Sequence, residues 1–346
     1  MAKYIARRFV QAIPTLFLIT VLSFMIVSLA PGGPTASLLL DPNLTPQDRV
    51  RIAEQLGVND PWPIQYLRWL IGDDWEWRIR DNSGELKPGN RLGILRLDFG
   101  YSFVANRRVL DLFAERLGAT LELGISALLF ALLLGVPIGI LSAVVRGSLF
   151  DNSMRVLAVI INAVPNFWLG LMLILLFGVI IKGPDGRGLL PMGSRCPTTL
   201  ATCPPLHERL NHLILPMVVL GGGGLAGYSR YLRASMLDVI GQDYIRTARA
   251  KGLKDRTVWF AHGARNALIP LATFLGPAIA GVWGGAFITE QIFSWPGIGR
   301  LTLQSLTALD YPMIMAVTVF SAVATILGFI ISDILYALID PRIRFN

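Results

Sequence analysis

Apolar residues in this chain come in long runs rather than in the narrow stripes of a soluble amphipathic helix. A helix that crosses a bilayer needs about 20 predominantly apolar residues. Stretches of that length occur at roughly 10–30, 121–145, 156–181, 213–231, 267–289 and 312–333. Most contain Gly or Pro: Pro14, Gly135 with Pro137, Pro165, Gly221 to Gly224, and Pro270 with Gly276. In water these residues break helices. In a bilayer, neighbouring helices satisfy the freed backbone groups and small residues permit close approach. The pattern predicts an all-α integral membrane protein with six transmembrane helices, in a bundle suited to movement.

The first run follows Lys3, Arg7 and Arg8, as a signal-peptide core would. Its apolar part, Val10 to Ala30, outlasts the roughly 7–15 residues of such a core. It ends in Pro31-Gly-Gly-Pro34 rather than a small-x-small cleavage site. An uncleaved first span is expected. Beyond it, Thr45-Pro46 followed by Val50, Ala53 and Leu56 reads as a helix, and Gln65 to Trp69 as another. Trp62, Trp69, Trp75 and Trp77 form an aromatic cluster in the sequence. That cluster fits an interfacial belt on the lipid headgroups, a small capping core, or a docking surface for an external partner.

Composition agrees with the pattern. Of 346 residues, 53% are hydrophobic and only 16% charged, against about 25% charged in soluble domains. The lipid bilayer is thus the first partner. The net charge of +8 does not argue for nucleic acid, because Lys and Arg accumulate in cytoplasmic loops of membrane proteins. Basic residues gather in the N-terminal tail, in the loop 243–266 (Arg246, Arg249, Lys251, Lys254, Arg256 and Arg265 against Asp243 and Asp255), and at Arg342 and Arg344. The segment 41–86 leans acidic. With six spans, both termini and the basic loop fall on one side, the cytoplasm. The chain then divides into an N-terminal tail and first span (1–30), an enlarged external cap between the first two spans (31–118), and a five-span core (119–346) holding the cytoplasmic loop 243–266.

Candidate chemistry is sparse. Cys196 and Cys203 lie in the loop 182–212, on the side read as external. There they can form a disulfide; the alternatives are unpaired thiols, or a cytoplasmic loop and a different topology. His207-Glu-Arg-Leu-Asn211 misses the zinc-protease pattern because Asn211 stands where the second His is needed, and His212 falls off that face. His262 stands alone in the basic loop. No metal site, cofactor or catalytic residue is expected. No phosphate-binding loop G-x-x-x-x-G-K-[ST] and no G-x-S-x-G elbow occurs, so the chain is not expected to be an enzyme. Ion-driven carriers place ionisable residues at mid-membrane. Here Glu122, Glu290 and Asp333 lie near span ends, so energy for transport is expected from elsewhere.

The stretch DYIRTARAKGLKDRTVWFAHGARNALIPL, starting at Asp243, is the densest basic block. Asp243 can cap a helix. Ile245, Ala248 and Gly252 fall on one small face, Arg246, Arg249, Lys251 and Lys254 surround it, and Gly252 can end the helix. A second helix from about Asp255 to Asn266 leads back to the membrane. The geometry is a helix–turn–helix across the cytoplasmic face; the plainer reading is a solvated loop that fixes topology.

That stretch resembles the cytoplasmic loop of bacterial ABC-transporter permeases, above all the dipeptide/oligopeptide/nickel importer branch. The run from Asp243 to Leu253 and Arg265-Asn-Ala-Leu-Ile-Pro270 carry the likeness. So do Arg7-Arg8, Ala30-Pro31-Gly32, Leu56-Gly57 with Tyr66, Asp98-Phe-Gly-Tyr-Ser102, Glu115-Arg116 with Thr120-Leu-Glu-Leu, Pro165-Asn-Phe-Trp168, Glu290-Gln-Ile-Phe-Ser-Trp-Pro-Gly-Ile-Gly299 and Asp340-Pro-Arg-Ile-Arg344. The resemblance implies an importer permease for di- or oligopeptides or related small solutes in the bacterial or archaeal cytoplasmic membrane. It implies a second homologous permease, two ABC ATPase subunits that carry ATP and Mg, and an external solute-binding protein. Residues 243–266 would be the coupling element: Arg246, Thr247, Ala248, Arg249, Lys251, Gly252 and Leu253 would face the ATPase, with Ala248 and Gly252 as the close-packed surface. Two features depart from the family: the stretch 73–96 looks inserted, and the Cys196–Cys203 loop looks peculiar to this chain. A self-sufficient secondary carrier or channel is the competing class; it needs buried ion sites or an internal repeat. A membrane-bound enzyme needs catalytic pairs inside the spans. Small residues at Gly221 to Gly227 and Gly276 to Gly285 could line a path, though close helix packing is their plainer reading.

Overall fold

The computed structural model describes residues 2–30, 33, 45–47, 50, 53–54, 57–80, 86–197, 203–284 and 286–339. The helix expected from Thr45 to Leu56, the turn at Pro31 to Pro34 and the tail with Arg342 and Arg344 lie wholly or partly outside them. The chain forms two compact units. One comprises 119–300 with 1–5 and 324–346; the other comprises 6–118 with 301–323.

The elements in order are α1 (Ala2–Leu29), α2 (Trp62–Ile71), β1 (Trp77–Arg80), β2 (Leu86–Pro88), α3 (Val109–Val144), α4 (Leu149–Ala163), α5 (Asn166–Leu173, continued by a π-turn over Ile174–Ile180), α6 (Leu210–Ile240), α7 (Asp243–Ala250), α8 (Asp255–Leu271), α9 (Ala272–Gly284), α10 (Phe287–Ile292), α11 (Ile298–Thr307) and α12 (Tyr311–Ile339). Among the described residues, four helical stretches are long and apolar enough to cross a membrane: Ala6–Leu29, Val109–Val144, Leu210–Ile240 and Tyr311–Ile334. Two further crossings arise only if bent pairs count as one span each. The expected span 156–181 falls on α4 and α5, which are bent by 103°. Val164 before Pro165 takes an extended conformation (φ −84°, ψ 126°), since a proline ring clashes with a helical residue preceding it. The expected fifth span is likewise bent, by 56° between 255–271 and 273–292.

In the first unit, glycine lets helices meet backbone to backbone. A Cβ on Gly135 would come 2.8 Å from the Leu225 carbonyl oxygen, and one on Gly139 would come 2.5 Å from that of Ser229. Gly221 likewise faces the Ala127 carbonyl at 2.7 Å. So α3 and α6 cross through small residues on both sides, and the glycine run of α6 serves packing, as the sequence indicated. Gly276 of α9 makes room instead for the Ser332 side chain of α12, which a Cβ there would meet at 2.7 Å, and a Cβ on Gly328 of α12 would meet the Ala280 backbone nitrogen at 2.9 Å.

In the second unit, Tyr66 and Trp69 of α2 pack on Phe24 of α1, with Tyr311 and Met315 of α12 in the same cluster. The stretch 73–96 is not helical throughout: β1 and β2 pair antiparallel, Trp77 opposite Pro88 and Arg80 opposite Leu86. The all-α expectation is corrected there, and the fold is mostly helical. The four tryptophans do not cluster either. Trp69 packs on Phe24 and Tyr66, while Trp62, Trp75 and Trp77 are exposed. The acids of this unit are largely matched by arginines: Arg68 pairs with Asp60 and Glu76, Arg91 with Asp73, and Arg96 with Asp74.

Candidate functional site

The basic block folds as the helix–turn–helix that its sequence indicated. Gln242 is extended and α7 begins at Asp243. The Thr247 hydroxyl donates to the Asp243 carbonyl (2.9 Å), and Arg246 reaches the Asp243 carboxylate at 3.3 Å across an exposed turn. At the other end, the Lys251 N–H donates to Thr247 and the Leu253 N–H to Ala248. Gly252 takes φ +74°, the left-handed conformation that closes a helix and that only glycine adopts without strain. Lys254 then accepts the first N–H bonds of α8, from Thr257 and Val258.

An eight-residue helix is marginal alone, so α7 must dock. Its apolar face does so on its own chain. Ile245 is fully buried and Ala248 nearly so, in a core with Ile140 and Ala143 of α3, Leu232 and Met236 of α6, and Val258, Trp259, Ala264, Ala267 and Leu271 of α8. Of the two residues expected to form the close-packed surface, Ala248 lies in this core, while a Cβ on Gly252 would meet nothing within 4 Å beyond its own chain neighbours, among the described residues. What remains outward is Arg246, Thr247, Arg249, Lys251, Gly252 and Leu253, with Tyr244 and Lys254 beside them. Six of the seven residues expected to face the ATPase are therefore exposed, and the seventh, Ala248, is buried.

Two contacts brace that surface. The Arg249 guanidinium lies 4.2 Å from the centre of the Trp259 ring, a cation–π placement worth about 0.5–1 kcal/mol at an exposed site. Asn266 Nδ2 donates to the Tyr244 hydroxyl (2.8 Å), which ties the start of α7 to α8. Trp259 was not singled out from sequence; its ten-residue separation from Arg249 across a turn carries no periodic signal.

The platform beneath continues into the bundle. Arg233 of α6 donates twice to Asp151 of α4, at 2.6 and 2.7 Å. Asp151 is fully buried and also accepts from the Gly147 N–H at 3.0 Å. The Ser148 hydroxyl accepts from the Asp151 N–H, capping α4. Helices α3, α4, α6, α7 and α8 are thus joined by one core and one buried ion pair, so a load on α7 bears on α6 directly.

Two of the acids noted at span ends, Glu122 and Glu290, tie neighbouring segments together. Glu122 of α3 accepts from Arg195 (2.6 and 3.0 Å) and from Arg209 ahead of α6 (2.6 and 2.9 Å). Glu290 is fully buried and accepts from Thr120 Oγ1 (3.2 Å), the Ala286 N–H (3.3 Å) and the Arg300 N–H (2.8 Å). A Cβ on Gly297 would sit 2.5 Å from both Glu290 carboxylate oxygens, which explains the glycine seven residues after the acid. The Trp295 indole donates to the Ala119 carbonyl (2.8 Å) and the Ile298 N–H to Thr120 Oγ1 (2.7 Å), fastening the loop after α10 to α3.

Cys196 and Cys203 are joined in a disulfide with Cα atoms 5.3 Å apart. His212 Nδ1 lies 3.0 Å from the Ser194 carbonyl and 3.2 Å from that of Gly193, so it supports the disulfide loop. His207 is exposed beside Glu208. Among the described residues, no three His, Cys, Asp or Glu side chains converge on a common point.

Two family models match the chain. The model for the binding-protein-dependent transport system inner membrane component covers residues 135–345. The model for the N-terminal part of such membrane components covers residues 1–124. The chain is 43% identical to the oligopeptide transport system permease protein AppB of Bacillus subtilis, over the whole of both chains. It is 35% identical to the dipeptide transport system permease protein DppB of Escherichia coli, over 99% of each chain. It is 36% identical to the di/tripeptide transport system permease protein DppB of Pseudomonas aeruginosa, again over 99% of each.

Proposed function

The chain belongs to the binding-protein-dependent transport system inner membrane component family, and from that premise we propose that it carries peptides and is driven through the exposed surface of α7. As a member, it is a multi-pass permease of the bacterial cytoplasmic membrane and a membrane-spanning subunit of an ATP-driven importer. The relatives above are named for oligopeptides, dipeptides and di- or tripeptides, which supports peptide cargo.

The assembly we propose adds a second, homologous permease, two separate ABC ATPases that bind ATP and Mg, and a solute-binding protein outside. Six crossings are proposed: the four straight helices and the two bent pairs. Both termini and 243–266 face the cytoplasm, 31–118 forms the external cap, and 119–346 is the five-span core. The basic tally of the loop and the acidic lean of 41–86 favour that orientation. It also puts the Cys196–Cys203 loop outside, where a disulfide persists.

One observation carries the coupling role. The small apolar face of α7 is buried against α3, α6 and α8, while its basic residues stand in the open. A loop that only fixed topology would need the charges but not the docked helix. In the proposed cycle, nucleotide-driven closure of the ATPases displaces α7. The displacement passes through Ile245 and Ala248 into Leu232 and Met236 of α6, and through Arg233 into α4. The spans then alternate access. Glu122 and Glu290 are held in local locks, so the energy source lies in the partner subunits rather than in an ion site formed by these acids.

The test is a cross-link. Lys251→Cys, in the assembled transporter, is expected to be captured by a short thiol cross-linker on an ATPase subunit, with a yield that changes with nucleotide. Absence of any cross-link from Lys251, Thr247 and Leu253 positions alike, in an assembly that still transports, would sink the coupling role.

A further inference from the structure

Helix α2 sits at an unexpected depth. Its Tyr66 ring lies 6.2 Å from that of Phe17 and 5.6 Å from that of Phe24, and its hydroxyl is 2.9 Å from the Thr20 hydroxyl. At 1.5 Å per residue, Thr20 is about 13 Å below Leu29, and Phe24 about 7 Å below it. The apolar stretch Ala6–Leu29 has 24 residues, about 36 Å, a few ångströms longer than the roughly 30 Å hydrocarbon core. Residues that pack on Phe24 and reach Thr20 therefore lie alongside the membrane-spanning part of α1, not beyond its end.

The face that α2 turns away from α1 is bare of charge. Pro63, Ile64, Leu67 and Ile71 form it, and all are exposed. The helix's single charge, Arg68, is buried on the other side, held by Asp60 and Glu76. Several of its terminal backbone groups are satisfied. Pro63 has no N–H to satisfy, and Pro61 accepts from the Ile64 and Gln65 N–H groups. At the far end, Arg96 donates to the Ile71 carbonyl (2.6 Å) while pairing with Asp74, and the Trp75 indole donates to the Gly72 carbonyl (2.7 Å). A helix in lipid must satisfy its polar groups internally; one in water need not. Trp62, Trp75 and Trp77 stand exposed at its two ends, and Trp favours the membrane–water boundary.

We propose that α2 is a lipid-embedded helix, its Ile64–Leu67–Ile71 face seated among the acyl chains of the leaflet into which the segment after α1 projects. The occupant is phospholipid, because this uncharged face lies beside a span whose own residues around the Thr20–Phe24 level, Phe17, Leu18, Leu22 and Ile26, are apolar and exposed. The expected immersion, roughly 5–10 Å, is that of interfacial helices. The side that normally floats in water instead grips α1. The part of the expected cap that contains α2 is then not free but moored in the bilayer beside the first span. This rests on α1 crossing the membrane, not on the cargo or on the coupling role of α7.

Nitroxide labels at Ile64→Cys, Leu67→Cys and Ile71→Cys test it, in the complete transporter reconstituted in phosphatidylethanolamine–phosphatidylglycerol vesicles, without reductant. Ala105→Cys, exposed in the same unit, is the aqueous reference. Uptake of each variant shows that it is folded. Collision with oxygen, which concentrates in lipid, should exceed collision with a water-soluble nickel chelate at all three positions, by several-fold relative to Ala105. Chelate-dominated collision at the three positions would overturn the proposal and leave a surface for a soluble partner. Exclusion of both reagents, with cross-linking of Leu67→Cys to another subunit, would also overturn it and assign the face to that subunit.

Discussion

Truncating Ile245 should uncouple the transporter without unfolding it. Ile245 is fully buried between α6, α3 and α8, and it is the largest apolar side chain that α7 contributes to that core. Ile→Ala at a packed site costs about 2–5 kcal/mol. Against this, the Arg249–Trp259 placement is worth about 0.5–1 kcal/mol, and the exposed Tyr244–Asn266 bond about 0.5–1.5 kcal/mol. With about 1.4 kcal/mol per factor of ten, Ile245→Ala weakens docking of α7 about 30-fold at the low end, and Arg249→Ala only a few-fold. The spans are untouched by either change, so the chain should insert and assemble. ATP hydrolysis and peptide uptake would be measured together in proteoliposomes of the whole assembly. The expected result is a sharply lower ratio of peptide taken up to ATP hydrolysed for Ile245→Ala, and a mild effect for Arg249→Ala. The opposite ranking, with Arg249→Ala severe and Ile245→Ala indistinguishable from wild type, would refute transmission through the buried face.

Other changes separate the remaining contacts. Gly252 is open to solvent with φ +74°, so Gly252→Asn should be tolerated, while Gly252→Glu should leave the chain inserted but cut uptake; normal uptake by the Glu variant would remove Gly252 from the contact surface. Gly297→Ala drives a methyl into the Glu290 carboxylate and should cost about 1–3 kcal/mol, read as a lower yield of monodisperse protein after a heat step; a variant as heat-resistant as wild type would mean that the loop can shift. Cys196 and Cys203 close a loop of separation seven, for which the chain-entropy estimate is at most about 2.5 kcal/mol. A membrane-impermeant maleimide added to right-side-out vesicles should label them only after reduction; labelling without reductant would show free thiols.

The long apolar runs made the four long membrane helices legible, because bilayer thickness imposes a length that little else imitates. The 103° break was not legible in extent. Pro165 signals a disruption, but whether a proline kinks a span or ends it depends on what packs around it. The face of Ile245 and Ala248 was visible as spacing; what fills it was not, since periodicity says that a face is buried and not against whom. Glu122 finds Arg195 and Arg209 across 73 and 87 residues, a pairing that no local pattern encodes. The glycines at Gly297 and Gly299 were part of a recognisable motif, but only the structure ties them to the Glu290 carboxylate. The pairing of β1 with β2 was not legible, because strands of four and three residues are too short to show an alternation of apolar and polar positions.

The most direct measurement is uptake of a radiolabelled oligopeptide into proteoliposomes made from the purified assembly, with its solute-binding protein present and ATP supplied or withheld. The proposed function predicts uptake that needs ATP, needs the ATPase subunits, and falls with Ile245→Ala. Peptide movement by this chain alone, without ATP, would contradict it and make the chain a self-sufficient carrier.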